Sequence, residues 1–155
     1  MQTRRQMLAR STQVATMLIT LGLFPSAKNA LAAPYNAGAF EAKTMAELMK
    51  ILGSGTPTES RDVSITGPEI AENGAVVPIG ASTSLPGANR ILILVEKNPS
   101  VLSAMFEVSD SIEANFTTRV KMGQSSNVFA VALMNDGRVL YATKEVKVTL
   151  GGCGG

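Results

Sequence analysis

Histidine and tryptophan are absent from this sequence, and cysteine occurs once, as Cys153. Without histidine there is no Ser-His-Asp triad and no Cys-His dyad. A c-type haem attachment needs Cys-x-x-Cys followed by histidine, and neither part is present. A zinc site is left without its usual set of Cys and His ligands. Charged residues are few, 17% against 45% hydrophobic. That balance belongs to a packed globular domain and excludes a disordered chain. No stretch is apolar for the roughly 20 residues that a membrane-spanning helix needs. There is no internal repeat, and the glycine-rich C-terminus is the one low-complexity tract.

Positive charge is concentrated at the start. Arg4, Arg5, Arg10 and Lys28 are the charged residues that precede Ala33. Without these four of the fourteen basic residues, ten face twelve acidic ones, a net charge near −2. Neither a nucleic acid nor an anionic membrane is indicated as a partner. The basic start leads into an apolar region over residues 13–24, and Ala30-Leu31-Ala32 follows as an A-x-A cleavage signal. Residues 1–32 are therefore expected to be a cleaved export signal, cut between Ala32 and Ala33. The paired Arg4 and Arg5, in Thr3-Arg4-Arg5-Gln6-Met7-Leu8, resemble a twin-arginine signal, with Met7 in place of the usual Phe. That route carries folded cargo to the periplasm. An ordinary secretory signal is the alternative.

From Ala33 onward one helix and a series of strands are expected. Met45, Leu48, Met49 and Leu52 recur at helical spacing, which predicts a helix over 39–52 ended by Gly53. Residues 33–60 are expected to hold this helix and a linker. Seven strand candidates follow: around Val63 and Ile65, then 75–79, 90–96, 103–108, 115–122, 127–134 and 138–150. Asn135-Asp136-Gly137 is the clearest turn between them. The pattern predicts an all-β fold over 61–150, an immunoglobulin-like antiparallel β-sandwich of about seven strands. Two strands are apolar without a break, Ile91-Leu92-Ile93-Leu94-Val95 and Val128-Phe129-Ala130-Val131-Ala132-Leu133. Both of their faces need cover. The N-terminal helix can supply it, and so can a partner subunit. In the last strand Val139, Tyr141 and Thr143 share one face, while Leu140, Ala142, Val146, Val148 and Leu150 share the other.

After Leu150 the side chains stop. Gly151, Gly152, Gly154 and Gly155 surround Cys153. Four glycines in five positions give a flexible arm with almost nothing to pack. Extended, it carries the cysteine about 10 Å beyond Leu150 at 3.3–3.6 Å per residue. Such an arm is poorly suited to an active site, which needs rigidly supported groups. It suits a carrier that enters a pocket of another protein. No basic residue lies within five positions of Cys153, and the terminal carboxylate of Gly155 disfavours a thiolate. An unactivated thiol, with a pKa near or above about 8.5, is expected. A lone cysteine in an exported chain also fits an intermolecular disulfide in a structural or assembly subunit.

The terminal Gly151-Gly152-Cys153-Gly154-Gly155, preceded by Lys144-Glu145-Val146-Lys147-Val148-Thr149-Leu150, resembles the SoxY family of sulfur carriers. The resemblance continues through Pro68-Glu69-Ile70-Ala71-Glu72-Asn73-Gly74-Ala75-Val76-Val77-Pro78, Glu96-Lys97-Asn98-Pro99 and Thr118-Arg119-Val120-Lys121-Met122. It implies a periplasmic carrier of thiosulfate-derived sulfur, not an enzyme. Cys153 would be the attachment residue and the four glycines the swinging arm. It also implies a heterodimer with a SoxZ-like subunit. The arm would visit a Sox c-type cytochrome, a manganese-dependent sulfate thiohydrolase and, in some organisms, a molybdenum sulfur dehydrogenase. Those metals belong to the enzymes, so no cofactor and no metal is expected here. Gly154-Gly155 also matches the ending of ubiquitin-like sulfur carriers, but those are cytoplasmic and have no leader.

Overall fold

The computed structural model describes residues 36–149, with Arg4 and Arg10 besides. The chain from Asn36 onward opens with a 3₁₀ turn, Ala37–Phe40, and one α-helix, α1, Met45–Ile51. Nine strands follow: β1 Pro57–Glu59, β2 Val63–Thr66, β3 Ile70–Ala71, β4 Val77–Thr83, β5 Ala88–Val95, β6 Leu102–Glu107, β7 Asn115–Val120, β8 Ser126–Met134 and β9 Val139–Val148. They form a larger sheet in the order β1-β9-β8-β5-β6 and a smaller one in the order β2-β4-β7. The expected immunoglobulin-like sandwich is present.

The helix is shorter than the apolar spacing predicts, and its first turn shows why. Thr44 is extended, at φ −133° and ψ 157°. Its hydroxyl accepts the Glu47 N–H at 3.1 Å, and the Glu47 carboxylate accepts the Lys43 N–H at 2.8 Å. The first bond satisfies a donor that a helix leaves open, and the second ties back the residue before the cap, so the two fix its start at Met45. Ala39 and Ala42 lie before it, outside α1. At the other end Gly53 takes φ +65°. The Ser54 N–H donates to the Met49 carbonyl and the Gly53 N–H to the Lys50 carbonyl, the paired bonds of a Schellman cap.

The two unbroken apolar strands lie in the middle of the larger sheet, and their side chains divide by parity. Ile91, Ile93, Val95, Val128, Ala130 and Ala132 face the smaller sheet, where they meet Val63, Val77, Ile79, Ala81 and Val120. Leu92, Leu94, Val131 and Leu133 face the other way. They pack under Ala39, Ala42, Leu48 and Met49. The N-terminal segment therefore supplies the second cover, and these runs need no partner subunit to bury them. The cover ends at Phe129 and Tyr141, which are half-buried with rings edge to face at 5.8 Å.

Leu48 is fully buried at the centre of that cover. Leu48→Ala is expected to cost about 2–5 kcal/mol, the range for a large-to-small change in a close-packed core. Thermal unfolding would measure the loss, and binding of an apolar dye would report the uncovered face of β5 and β8. An unchanged melting temperature would mean that something else shields this face.

Two departures from the expected strands concern β9. The short β1 and β3 both pair with it in parallel, Pro57 opposite Val139 and Ile70 opposite Lys147. The sandwich is thus not wholly antiparallel. The β8–β9 hairpin turns at Asn135-Asp136-Gly137. There the Asp136 carboxylate accepts the Arg138 N–H at 3.0 Å and its Nε–H at 2.7 Å. Those bonds hold the Asp136 carboxyl below the usual range. β9 then runs antiparallel to β8 from Val139 to Val146. Its parity is as expected: Leu140, Ala142, Val146 and Val148 face the sandwich core, and Val139 and Tyr141 face the helix layer.

Candidate functional site at the end of β9

Cys153 and Gly151, Gly152, Gly154 and Gly155 lie outside the described residues, as do Arg5, Ala32 and Ala33. Arg4 is exposed. What the structure describes is the end of β9, the root from which residues 150–155 continue in sequence.

That end is held on both edges. Ser126 opposite Val146 is the last pair of the β8–β9 ladder. Beyond it β9 would lose its partner on the β8 side. There the Ser125 hydroxyl accepts the Val148 N–H at 2.9 Å, in the position of a strand carbonyl. On the opposite edge the Lys147 N–H donates to the Glu69 carbonyl at 2.9 Å, and the Thr149 N–H to the Ala71 carbonyl at 3.1 Å. The Thr149 hydroxyl also donates to Ala71, at 3.4 Å. Below these bonds Val146 is fully buried and Val148 packs on the core.

The segment that supplies β3 is itself tied down. The Asn73 side chain accepts the Ala75 N–H at 2.9 Å, which closes a tight turn. The Met122 N–H donates to the Gly74 carbonyl at 2.7 Å. Asn98 Nδ2 donates to the Lys121 carbonyl at 2.7 Å, and the Lys97 N–H to Ser126 Oγ at 3.1 Å. The internal segments 68–78, 96–99 and 118–122 are distant in sequence, yet these bonds join them to one another and, through 68–78 and Ser126, to the end of β9. Charge around this root is mixed, with Glu69 and Glu72 exposed alongside Lys121 and Lys147. Among the described residues no group of three or more His, Cys, Asp or Glu could hold a metal ion. None of the described helices is long and apolar enough to cross a membrane.

The anchorage of the end of β9 carries no sequence signature. The two-residue β3 carries no pattern, and Ser125 sits between polar neighbours in Gln124-Ser125-Ser126-Asn127. The one hint was the presence of segment 68–78 among the residues resembling a known family.

Comparison with known proteins bears on the same residues. The family model for the sulfur oxidation protein SoxY matches residues 48–153, from α1 through the cysteine. The sulfur carrier protein SoxY from Chlorobium limicola f thiosulfatophilum has a solved structure that is 36% identical. The alignment covers 70% of this chain and 97% of that one, with a TM-score of 0.62. A superoxide reductase (neelaredoxin) from Ignicoccus hospitalis shares the sandwich alone. It is 20% identical over 56% of this chain and 79% of that one, with a TM-score of 0.51. No curated protein matches. The family match spans more than half of the sequence, and a solved SoxY matches almost end to end. The chain belongs to the SoxY family.

Proposed function

We propose that this chain is the sulfur-carrying subunit of a periplasmic thiosulfate-oxidation system, with the substrate bound covalently to Cys153. The observation that carries the reading is the reach of the family match, which runs through β9 and includes the cysteine. An arm without bulky side chains, on a root held to Thr149, suits delivery of cargo into other proteins. The chain itself is a carrier and not an enzyme.

The chemistry has two steps. In loading, the Cys153 thiol loses its proton and its sulfur bonds to the outer sulfur of thiosulfate. This gives Cys–S–S–SO₃⁻ and releases two electrons to a c-type cytochrome, a one-electron acceptor that turns over twice. In hydrolysis, water attacks the sulfonate sulfur and the S–S bond to it breaks. Hydrogen sulfate leaves, and a persulfide remains on the arm without net oxidation. A sulfate thiohydrolase performs that step, and a sulfur dehydrogenase, where present, oxidises the persulfide. A SoxZ-like subunit completes the carrier. Family membership supports this partner. The apolar strands no longer do, because the N-terminal segment covers them. Export of the folded pair by the twin-arginine-like leader fits the compartment.

Purified protein incubated with thiosulfate and its cytochrome oxidant is expected to gain the mass of one thiosulfate group, removable by dithiothreitol. A persistent disulfide-linked dimer without that adduct would instead make the chain a structural subunit. The isolated thiol is expected to react with iodoacetamide with a midpoint near pH 8.5 or above. A midpoint below neutrality would overturn the view that activation comes from the visiting enzymes.

A further inference from the structure

We infer that Ser125 and the β3 segment form a two-sided clasp that fixes the pivot of the arm at Thr149 and so sets how far Cys153 reaches. The inference rests on the carrier reading. The clasp itself rests on geometry within the described residues.

The β8–β9 ladder ends at Val146. Three more residues are nevertheless fixed, with their amides bonded alternately to the two sides. Lys147 and Thr149 bond to the Glu69 and Ala71 carbonyls, and Val148 bonds to the Ser125 hydroxyl. A strand end usually frays where its neighbour stops. Here a serine side chain stands in for the missing strand, and Ser125 is a positioning residue. With the pivot at Thr149, the thiol lies four residues out, about 13–14 Å at full extension. With the pivot at Val146 it would lie seven residues out, about 23–25 Å. For a flexible arm the local concentration at a docked enzyme falls roughly as the −3/2 power of arm length, so lengthening from four to seven residues dilutes the thiol about twofold. The clasp thus keeps the arm short and its cargo concentrated where a visitor binds the root.

Ser125→Ala tests this, with Ser125→Thr as the variant that keeps the hydroxyl. Amide hydrogen exchange at Val148 is expected to speed up at least tenfold in Ser125→Ala and to be restored in Ser125→Thr. Loading of thiosulfate by the cytochrome is expected to slow by up to about twofold in Ser125→Ala, toward the dilution of a fully released root. Alkylation of Cys153 by iodoacetamide, which needs no docking, should match wild type. A separate variant with Gly-Gly inserted after Gly152 leaves the fold untouched and should slow loading in the same way. Unchanged exchange at Val148 in Ser125→Ala would refute the clasp. Unchanged loading in the lengthened arm would refute its role in reach. If wild type takes up no thiosulfate at all, the carrier reading fails instead, and the exchange measurement still judges the clasp.

Discussion

The Cys153→Ser variant is expected to fold as the wild type does and to carry no sulfur. The proposed adduct is held by a sulfur–sulfur bond, and a serine hydroxyl cannot form one. The chain has no second cysteine to take over, so the loss should be complete. Intact mass after incubation with thiosulfate and the cytochrome oxidant should stay at the starting value, and sulfate release should fall to the level without carrier. Stability should change by less than about 0.5 kcal/mol, the usual range for substitutions that remove no packing. The same variant separates the carrier from a disulfide-linked assembly. Both lose their bond, but only the carrier loses sulfate release. A thiosulfate-sized mass gain on the serine variant would place the attachment elsewhere and remove the basis of the proposal.

How far the sequence revealed this arrangement depended on the length and regularity of each signal. The parity of Ile91–Val95 and of Val128–Leu133 could be read directly, because side chains alternate across a strand and both sets are apolar. The pattern stated that two faces need cover and left open what covers them. Only the packing of Ala39, Ala42, Leu48 and Met49 onto Leu92, Leu94 and Val131 decides that. Spacing placed the helix correctly, but its start depended on the Thr44 and Glu47 bonds, which outweigh periodicity in the residues before Met45. The second expected strand, over 75–79, ends at Ile79, whereas β4 continues through Gly80 to Thr83. Glycine usually weakens a strand interior. Here Gly80 sits against the Thr66 and Thr117 hydroxyls, in a space that a side chain would have to share. The parallel β1 and β3 were invisible, since two or three residues cannot display a period of two. The cysteine and its glycines were legible from composition alone, but their anchorage is a tertiary feature.

Gly74→Val is expected to be the most damaging single change at the arm root, and Gly74→Ala a milder version of it. A Cβ on Gly74 would overlap the Met122 carbonyl oxygen and come within 2.8 Å of Val148 Cγ1. The first neighbour is backbone, and it belongs to the residue whose own N–H donates to the Gly74 carbonyl. It cannot retreat without breaking that bond. Overpacking of this kind costs about 1–3 kcal/mol. Gly74 does not occupy the left-handed region, so alanine is tolerated by the backbone itself. Restricting the unfolded chain returns about 0.4–1 kcal/mol of the penalty. The net cost should be about 1–2 kcal/mol for alanine and about 3 kcal/mol for valine. Gly123 is the control. Nothing lies within 4 Å of a Cβ there and its φ is unstrained, so Gly123→Ala should be neutral or slightly stabilising. Thermal unfolding of the three variants gives the ranking. Gly74 also supports the turn that delivers β3 to β9, so its variants should lose amide protection at Thr149 before the sandwich unfolds. A Gly74→Val protein as stable as wild type, with Thr149 still protected, would show that segment 69–75 is free to move away and does not hold the arm.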